Sequence, residues 1–170
     1  RIEAGKLHLE YQALDPAALL RTAVELQKPL AARKGIALRT RIADDVPAQI
    51  GGDPLRIEQI LLNLVGNALK FTERGSVEVS LERAGDRLLF RVADTGPGMS
   101  AAQSARLFER FEQADGVAQR HGGSGLGLAI SRDLAALMDG TLSASSLLGE
   151  GSTFVLDLPI RAAPAATSSA

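Results

Sequence analysis

Apolar residues follow two rhythms along this chain, one of about 3.6 residues and one of two. Leu7, Leu9 and Tyr11 alternate with polar neighbours and predict an edge strand. Asp15-Pro16 then offers an N-cap followed by proline at the first helical position, and a helical period runs to about Lys34 and stops at Gly35. Ile36, Leu38 and Ile42 mark a second strand. Asp53-Pro54 repeats the cap and opens the longest helical pattern, through about Phe71. After Gly75 come strands at 77–82 and 88–94, with Gly85-Asp86 as a hairpin turn between them. The stretch 95–125 holds only a short helical pattern at 100–108. A helix over 126–138 stops at Gly140, and strands at 141–146 and 153–159 complete the series.

Strands and helices mix without regular βαβ alternation. This predicts an α+β fold, one mixed sheet covered on one face by helices. No internal repeat is present. Residues 109–123 are too many for a plain connection and predict a functional lid. The tail, residues 162–170, holds only Ala, Ser, Thr and Pro and reads as a linker or disordered segment.

Composition narrows the function classes. A chain of 170 residues, 45% hydrophobic and 23% charged, suits one globular domain with one core. Basic and acidic residues stand at 19 against 20, which argues against general attraction to nucleic acid or an anionic membrane. There is no cysteine, so disulfides are excluded and a zinc site would need both histidines plus carboxylates. No apolar run is long enough to span a bilayer. The chain opens at Arg1 with neither Met nor a signal-peptide pattern and reads as a piece of a longer protein, placed in the cytoplasm, whose parent is free to be membrane-anchored.

Three places carry candidate chemistry. Asn63, Asn67 and Lys70 lie at i, i+4 and i+7, one narrow stripe of a helix otherwise covered by residues such as Leu61, Leu64 and Ala68. Such a stripe is either a solvated face or a face turned to an anionic ligand, since an amide oxygen suits Mg²⁺ and an ammonium suits phosphate. Asp94-Thr95-Gly96-Pro97-Gly98 stands where a strand ends, and a carboxylate there can accept hydrogen bonds from an amine. Taken alone it is any turn. Gly122-Gly123-Ser124-Gly125-Leu126-Gly127 leads into a helix, where free backbone amides make an anion site. No Lys follows these glycines, so a P-loop is excluded, and the strand and acidic residue of a dinucleotide fingerprint are missing. The protein-kinase motif set is absent as well.

The order of the pieces is more specific than any one of them. NLVGNALKF (63–71), DTGPGM (94–99), LFERFEQAD (107–115), GGSGLGLAIS (122–131) and GEGSTF (149–154) closely resemble the N, G1, F, G2 and G3 boxes of histidine kinase catalytic domains. The resemblance covers residues 7–160, and the FEQAD run is most similar to hybrid kinases, which carry a receiver domain. It implies a Bergerat-type two-layer α/β sandwich, shared with gyrase, heat-shock chaperone and mismatch-repair ATPases. It implies that Asp94 accepts from the adenine amino group while Gly96 and Gly98 shape the adenine pocket. Asn67 would ligate Mg²⁺ with Asn63 beside it, Lys70 would hold phosphate, and Phe71 would pack near the nucleoside. Gly123, Ser124, Gly125, Leu126 and Gly127 would close over the phosphates, and Thr153 would reach adenine through water. Phe108 and Phe111 would pack the lid.

The same resemblance frames the reaction. Related hydrolases hold a Glu where this chain has Asn63, and Asn cannot act as the base that activates water. That suits an enzyme that spares ATP for a protein nucleophile. The implied function is transfer of the γ-phosphoryl group to a histidine on a separate dimerisation domain, for onward transfer to a response-regulator aspartate. The partners implied are that dimerisation domain, a receiver domain, and a second copy in a homodimeric parent. The phosphoacceptor box itself is missing, since His8 lies in a strand pattern and His121 in the lid. Residues 1–6 resemble the end of the segment joining the acceptor helices to a catalytic domain over 7–161. The lid departs from hybrid kinases, with Val117-Ala118-Gln119 where Thr-Thr-Arg is usual and Arg110 or Arg120 as substitutes. A serine kinase or ATPase on the same fold and a noncatalytic nucleotide-sensing module are the competing readings.

Overall fold

Both long helices begin where a carboxylate precedes a proline. At the start of α1 (Pro16–Lys34) the Ala18 N–H donates to Asp15 Oδ1 at 3.0 Å, and at the start of α2 (Pro54–Phe71) the Arg56 N–H donates to Asp53 Oδ1 at 3.2 Å. Asp53 is buried, and its Oδ2 also accepts from the Glu10 N–H at 2.8 Å. The helix α1 closes on Gly35, whose N–H bonds back to Ala31 and Ala32. Lys34 then reaches across to α2 and donates to the carbonyls of Leu69 and Lys70, which places a cation at that helix's C-terminus. The structure is a computed structural model that describes residues 10–102 and 126–163.

Among the described residues five strands form one mixed sheet in the order β2-β4-β5-β7-β6, and a further long helix is α3 (Leu126–Leu137). The strands are β2 (Ala37–Ile42), β4 (Ser76–Ala84), β5 (Arg87–Asp94), β6 (Thr141–Leu147) and β7 (Gly151–Pro159). The β2–β4 pair is parallel and every other pair antiparallel. One face of the sheet is apolar: Val77, Val79 and Leu81, then Leu88, Phe90 and Val92, then Phe154, Leu156 and Leu158 are all buried. The α2 residues Ile57, Ile60, Leu61, Leu64, Val65, Ala68 and Leu69 join them in one core with Leu20 and Val24 of α1 and Leu134 of α3. The opposite face carries ion pairs, Arg87–Asp157 at 2.7 Å and Arg91–Glu82 at 3.2 Å. This is the α+β fold, a mixed sheet covered on one face by helices, that the mix of strands and helices predicts, and the two-layer sandwich that the resemblance implies.

Some elements differ from the sequence expectation. A separate antiparallel ribbon joins β1 (Gln12–Leu14) to β3 (Ile50–Gly52), so the described residues hold two sheets where one was expected. The strand β3 escapes pattern reading because two of its three residues are glycine, which has poor strand propensity and gives no alternation. The first strand begins after Tyr11 rather than before it, and Leu7 and Leu9 lie outside the described residues. The turn after α3 places its left-handed residue at Asp139, φ +61, one residue before Gly140. Ala162, assigned above to the tail, accepts a hydrogen bond from the Tyr11 hydroxyl at 2.7 Å and is thereby held to the domain. The lid at 109–123, with Phe108, Phe111, Arg110 and Arg120, lies outside the described residues, as do His8 and His121.

Candidate functional site

Asp94 is the last residue of β5, and the two-residue period turns its side chain to the helix-covered face, behind Leu88, Phe90 and Val92. It is buried there, 9% exposed. Its Oδ1 accepts from the Gly96 N–H at 2.9 Å and from the Ser152 N–H at 3.2 Å. Oδ2 receives neither of these bonds. Burial pushes the Asp94 carboxyl above the ordinary carboxylate value, and the two backbone N–H groups hold that rise back. The result is a fixed acceptor at the mouth of the apolar layer, able to take one further N–H donor.

The turn after Asp94 is clamped from the β6–β7 side. The Gly149 N–H donates to Pro97 O at 2.7 Å, and the Met99 N–H donates to Ser146 Oγ at 2.7 Å. Ser146 Oγ also lies 3.1 Å from Gly151 O and 2.9 Å from Ser152 Oγ. Close approach of the two backbones requires glycine at position 98. Its φ is +73, and a Cβ there would lie 2.1 Å from Leu147 O. On the other side Thr95 ties the turn to the start of β4, through Thr95 N to Ser76 O at 3.1 Å and Ser76 N to Thr95 Oγ1 at 3.0 Å.

The end of α2 meets this turn at Gly96. A Cβ built on Gly96 would stand 3.1 Å from Phe71 O and 3.2 Å from both Asp94 Oδ1 and Thr72 Oγ1. The α2 stripe therefore leads from this turn: Phe71 and Lys70 first, Asn67 a turn back, Asn63 a further turn back. All four are half-buried along the edge of the helix. Neither the Asn67 amide nor the Lys70 ammonium has a hydrogen-bond or ion-pair partner among the described residues. Asn63 differs. Its Nδ2 donates to Ser131 Oγ of α3 at 3.1 Å, so it binds one helix to the next.

The expected residues thus divide. Asn67, Lys70, Phe71, Asp94, Gly96 and Gly98 come together around the junction of α2 and β5. Leu126 and Gly127 stand in the first turn of α3, while Gly123, Ser124 and Gly125 lie outside the described residues. Thr153 does not join the group. It pairs with Ala93 on β5, and both belong to the strand positions facing away from Asp94, while Ser152 pairs with Asp94 itself. The residue beside the carboxylate is therefore Ser152. The sequence reading overlooked Ser152, Ser146 and Thr72. Only the register of β7 against β5 distinguishes Ser152 from Thr153, and the hydroxyl-rich strand β6 gave no local signal for Ser146.

Among the described residues no group of three His, Asp or Glu side chains could hold a metal, and no helix is long and apolar enough to cross a membrane. The family model for histidine kinase-, DNA gyrase B- and HSP90-like ATPases matches residues 52–162. Sensor histidine kinase RcsC of Salmonella typhimurium is 39% identical over 161 residues, covering 94% of this chain and 17% of that protein. The chain thus spans less than one fifth of that relative's length. Full-length ShkA, solved in complex with AMPPNP, superimposes with a TM-score of 0.85 at 40% identity, covering 94% of this chain and 33% of ShkA. The nucleotide-free catalytic domain of histidine kinase ThkA shares the fold, with a TM-score of 0.77 at 23% identity, covering 89% of this chain and 99% of that one.

Proposed function

This chain belongs to the family of histidine kinase-, DNA gyrase B- and HSP90-like ATPases, and from that premise we propose that it is the ATP-binding catalytic domain of a two-component sensor histidine kinase. The observation that carries this reading is the junction of α2 with the β5 turn. A buried carboxylate with both backbone bonds on one oxygen stands beside a half-buried amide and ammonium that have no partner among the described residues. An adenine amino group satisfies the remaining Asp94 oxygen, and the triphosphate then runs along α2 toward Asn67 and Lys70. ShkA, with its bound AMPPNP, supports nucleotide binding at this fold.

The residues suit Mg²⁺ arriving with the nucleotide. Magnesium needs few protein ligands when phosphates supply the rest, and the half-buried Asn67 offers one neutral oxygen on the edge of α2. Bound there, the ion would neutralise charge on the β- and γ-phosphates. Lys70 adds a point charge toward the same phosphates. Asn63 is turned to Ser131 and carries no basic oxygen for abstracting a proton from water. The domain therefore holds ATP without activating water against it. A histidine ring nitrogen from a separate dimerisation domain supplies the nucleophile. The N–P bond forms as the bond to the β–γ bridging oxygen breaks, ADP leaves, and the imidazole proton passes to solvent. A receiver-domain aspartate is the onward acceptor, and the working compartment is the cytoplasm.

The test is incubation with γ-labelled ATP, with and without a histidine-bearing dimerisation domain added in trans. The expected result is acid-labile label on the added domain and none on this chain. Label retained on His8 or His121 overturns the reading.

A further inference from the structure

The helix α3 packs on the core through Leu128, Leu134 and Ala135, all buried. Ser131 lies on the same stripe, three residues after Leu128 and four before Ala135, and is 2% exposed. A hydroxyl buried in an apolar seam is costly without a partner, and an apolar side chain there would serve cohesion better. The partner is Asn63, whose Nδ2 donates to Ser131 Oγ at 3.1 Å. Asn63 is the half-buried first member of the α2 stripe that continues to Asn67 and Lys70. The polar pair thus joins an otherwise apolar helix seam to the edge read above as the ligand's.

The two helices run in opposite directions. Asp53 and Ile57 at the start of α2 line one cavity with Leu137 and Asp139 at the end of α3. The end of α2 lies at the other extreme, where Phe71 O approaches Gly96. From the Asn63–Ser131 bond, one turn forward along α2 therefore reaches Asn67, and one turn back along α3 reaches Gly127, each about 6 Å on. The bond is a cross-brace set one turn behind both.

We propose that Ser131 is a positioning residue for the phosphate end of the nucleotide site: through Asn63 it sets the gap between Asn67 on α2 and the first turn of α3, into which the triphosphate fits. The proposal rests on the nucleotide-site reading above. The N–H groups of that first turn have no partner within the helix, and the brace holds them across the gap from Asn67. It also gives Asn63 a task apart from metal binding, since its amide N–H is committed to α3.

The experiment introduces Ser131→Ala into the whole chain and into its Asn63→Ala variant, and titrates each protein with MgATP and with adenosine by calorimetry, alongside thermal melting. Alanine suits both a helix and an apolar seam, so the melting temperature should hold or rise. MgATP affinity should fall about three- to tenfold. Adenosine has no phosphate to place and should bind Ser131→Ala as it binds the parent chain. In the Asn63→Ala background the Ser131→Ala step should cost less than about twofold, because its partner is already gone. MgATP affinity unchanged by Ser131→Ala overturns the proposal. So does an equal loss for adenosine, or the same loss with and without Asn63. Asp94→Asn is measured in parallel. Full ATP affinity in that variant would instead overturn the nucleotide-site reading itself, which separates the two failures.

Discussion

At the scale of single residues, function and stability pull in opposite directions at Asp94. Its pKa is raised by burial, so the folded state binds a proton more tightly than the unfolded state does. The sign follows: stability is fully present below the unfolded value and is lost as pH rises through the folded value. Above the raised value the ionised carboxylate is thus a destabilising group, which the proposed nucleotide site accounts for. Asp94→Asn retains the acceptor for the Gly96 and Ser152 N–H groups and removes the charge. It should raise the melting temperature at pH 7, with the advantage shrinking as pH falls through the raised value, and weaken ATP binding roughly 10- to 100-fold. Thermal melts across pH and calorimetry check the two halves, and a variant that loses stability at pH 7 contradicts the burial argument. Asn67 gives the converse case. It is half-buried and has no partner among the described residues, so on the proposed metal role Asn67→Ala should leave the melting temperature within about 1 °C while abolishing any gain in ATP affinity from Mg²⁺. Titration with and without Mg²⁺ reads this directly.

At the scale of elements, the turn after β5, proposed above to receive adenine, owes its shape to the β6–β7 hairpin. Gly98→Ala forces a side chain into positive φ and into contact with Leu147 O. It should destabilise the domain by about 1–3 kcal/mol and weaken ATP binding together, as seen by denaturant unfolding and calorimetry. Lys34→Met tests a contact behind the ligand-facing stripe proposed above. It removes the cation from the α2 C-terminus, and a loss of about 1–2 kcal/mol with unchanged preference for ATP over GTP is expected. Elements of this kind were legible in the sequence where local chemistry defines them. Asp15-Pro16, Asp53-Pro54 and Gly35 marked helix ends within a residue, because capping depends on near neighbours. The ribbon β1–β3 was not legible, since Gly51 and Gly52 carry no alternation and are held by contacts distant in sequence, such as Gly51 N to Arg161 O at 2.9 Å. The site divided in the same way. Asp94 and the α2 stripe could be read from spacing and motif, while Ser152 and Thr72 become visible only when register and burial are known.

At the scale of the whole molecule, one apolar layer serves both cohesion and binding. The core of α2 against β4 and β5 runs from Ile57 to Leu69, and the same helix carries on its edge the stripe proposed to face the ligand. Its final residues then meet the carboxylate at the end of β5. Bound nucleotide should therefore stabilise the entire two-layer sandwich, since α2 and β5 belong to its centre; a gain in melting temperature that grows with ATP concentration is expected from mass action. On the proposed reading, selectivity arises because the fold offers a buried acceptor to an amino group, and a purine with a carbonyl at that position leaves acceptor facing acceptor. The decisive measurement is a calorimetric titration of the whole chain with MgATP and, separately, with MgGTP at neutral pH. The expected result is a single ATP site with GTP at least tenfold weaker. Equal binding of the two nucleotides, or no binding of either, contradicts the assignment of Asp94 and the function built upon it.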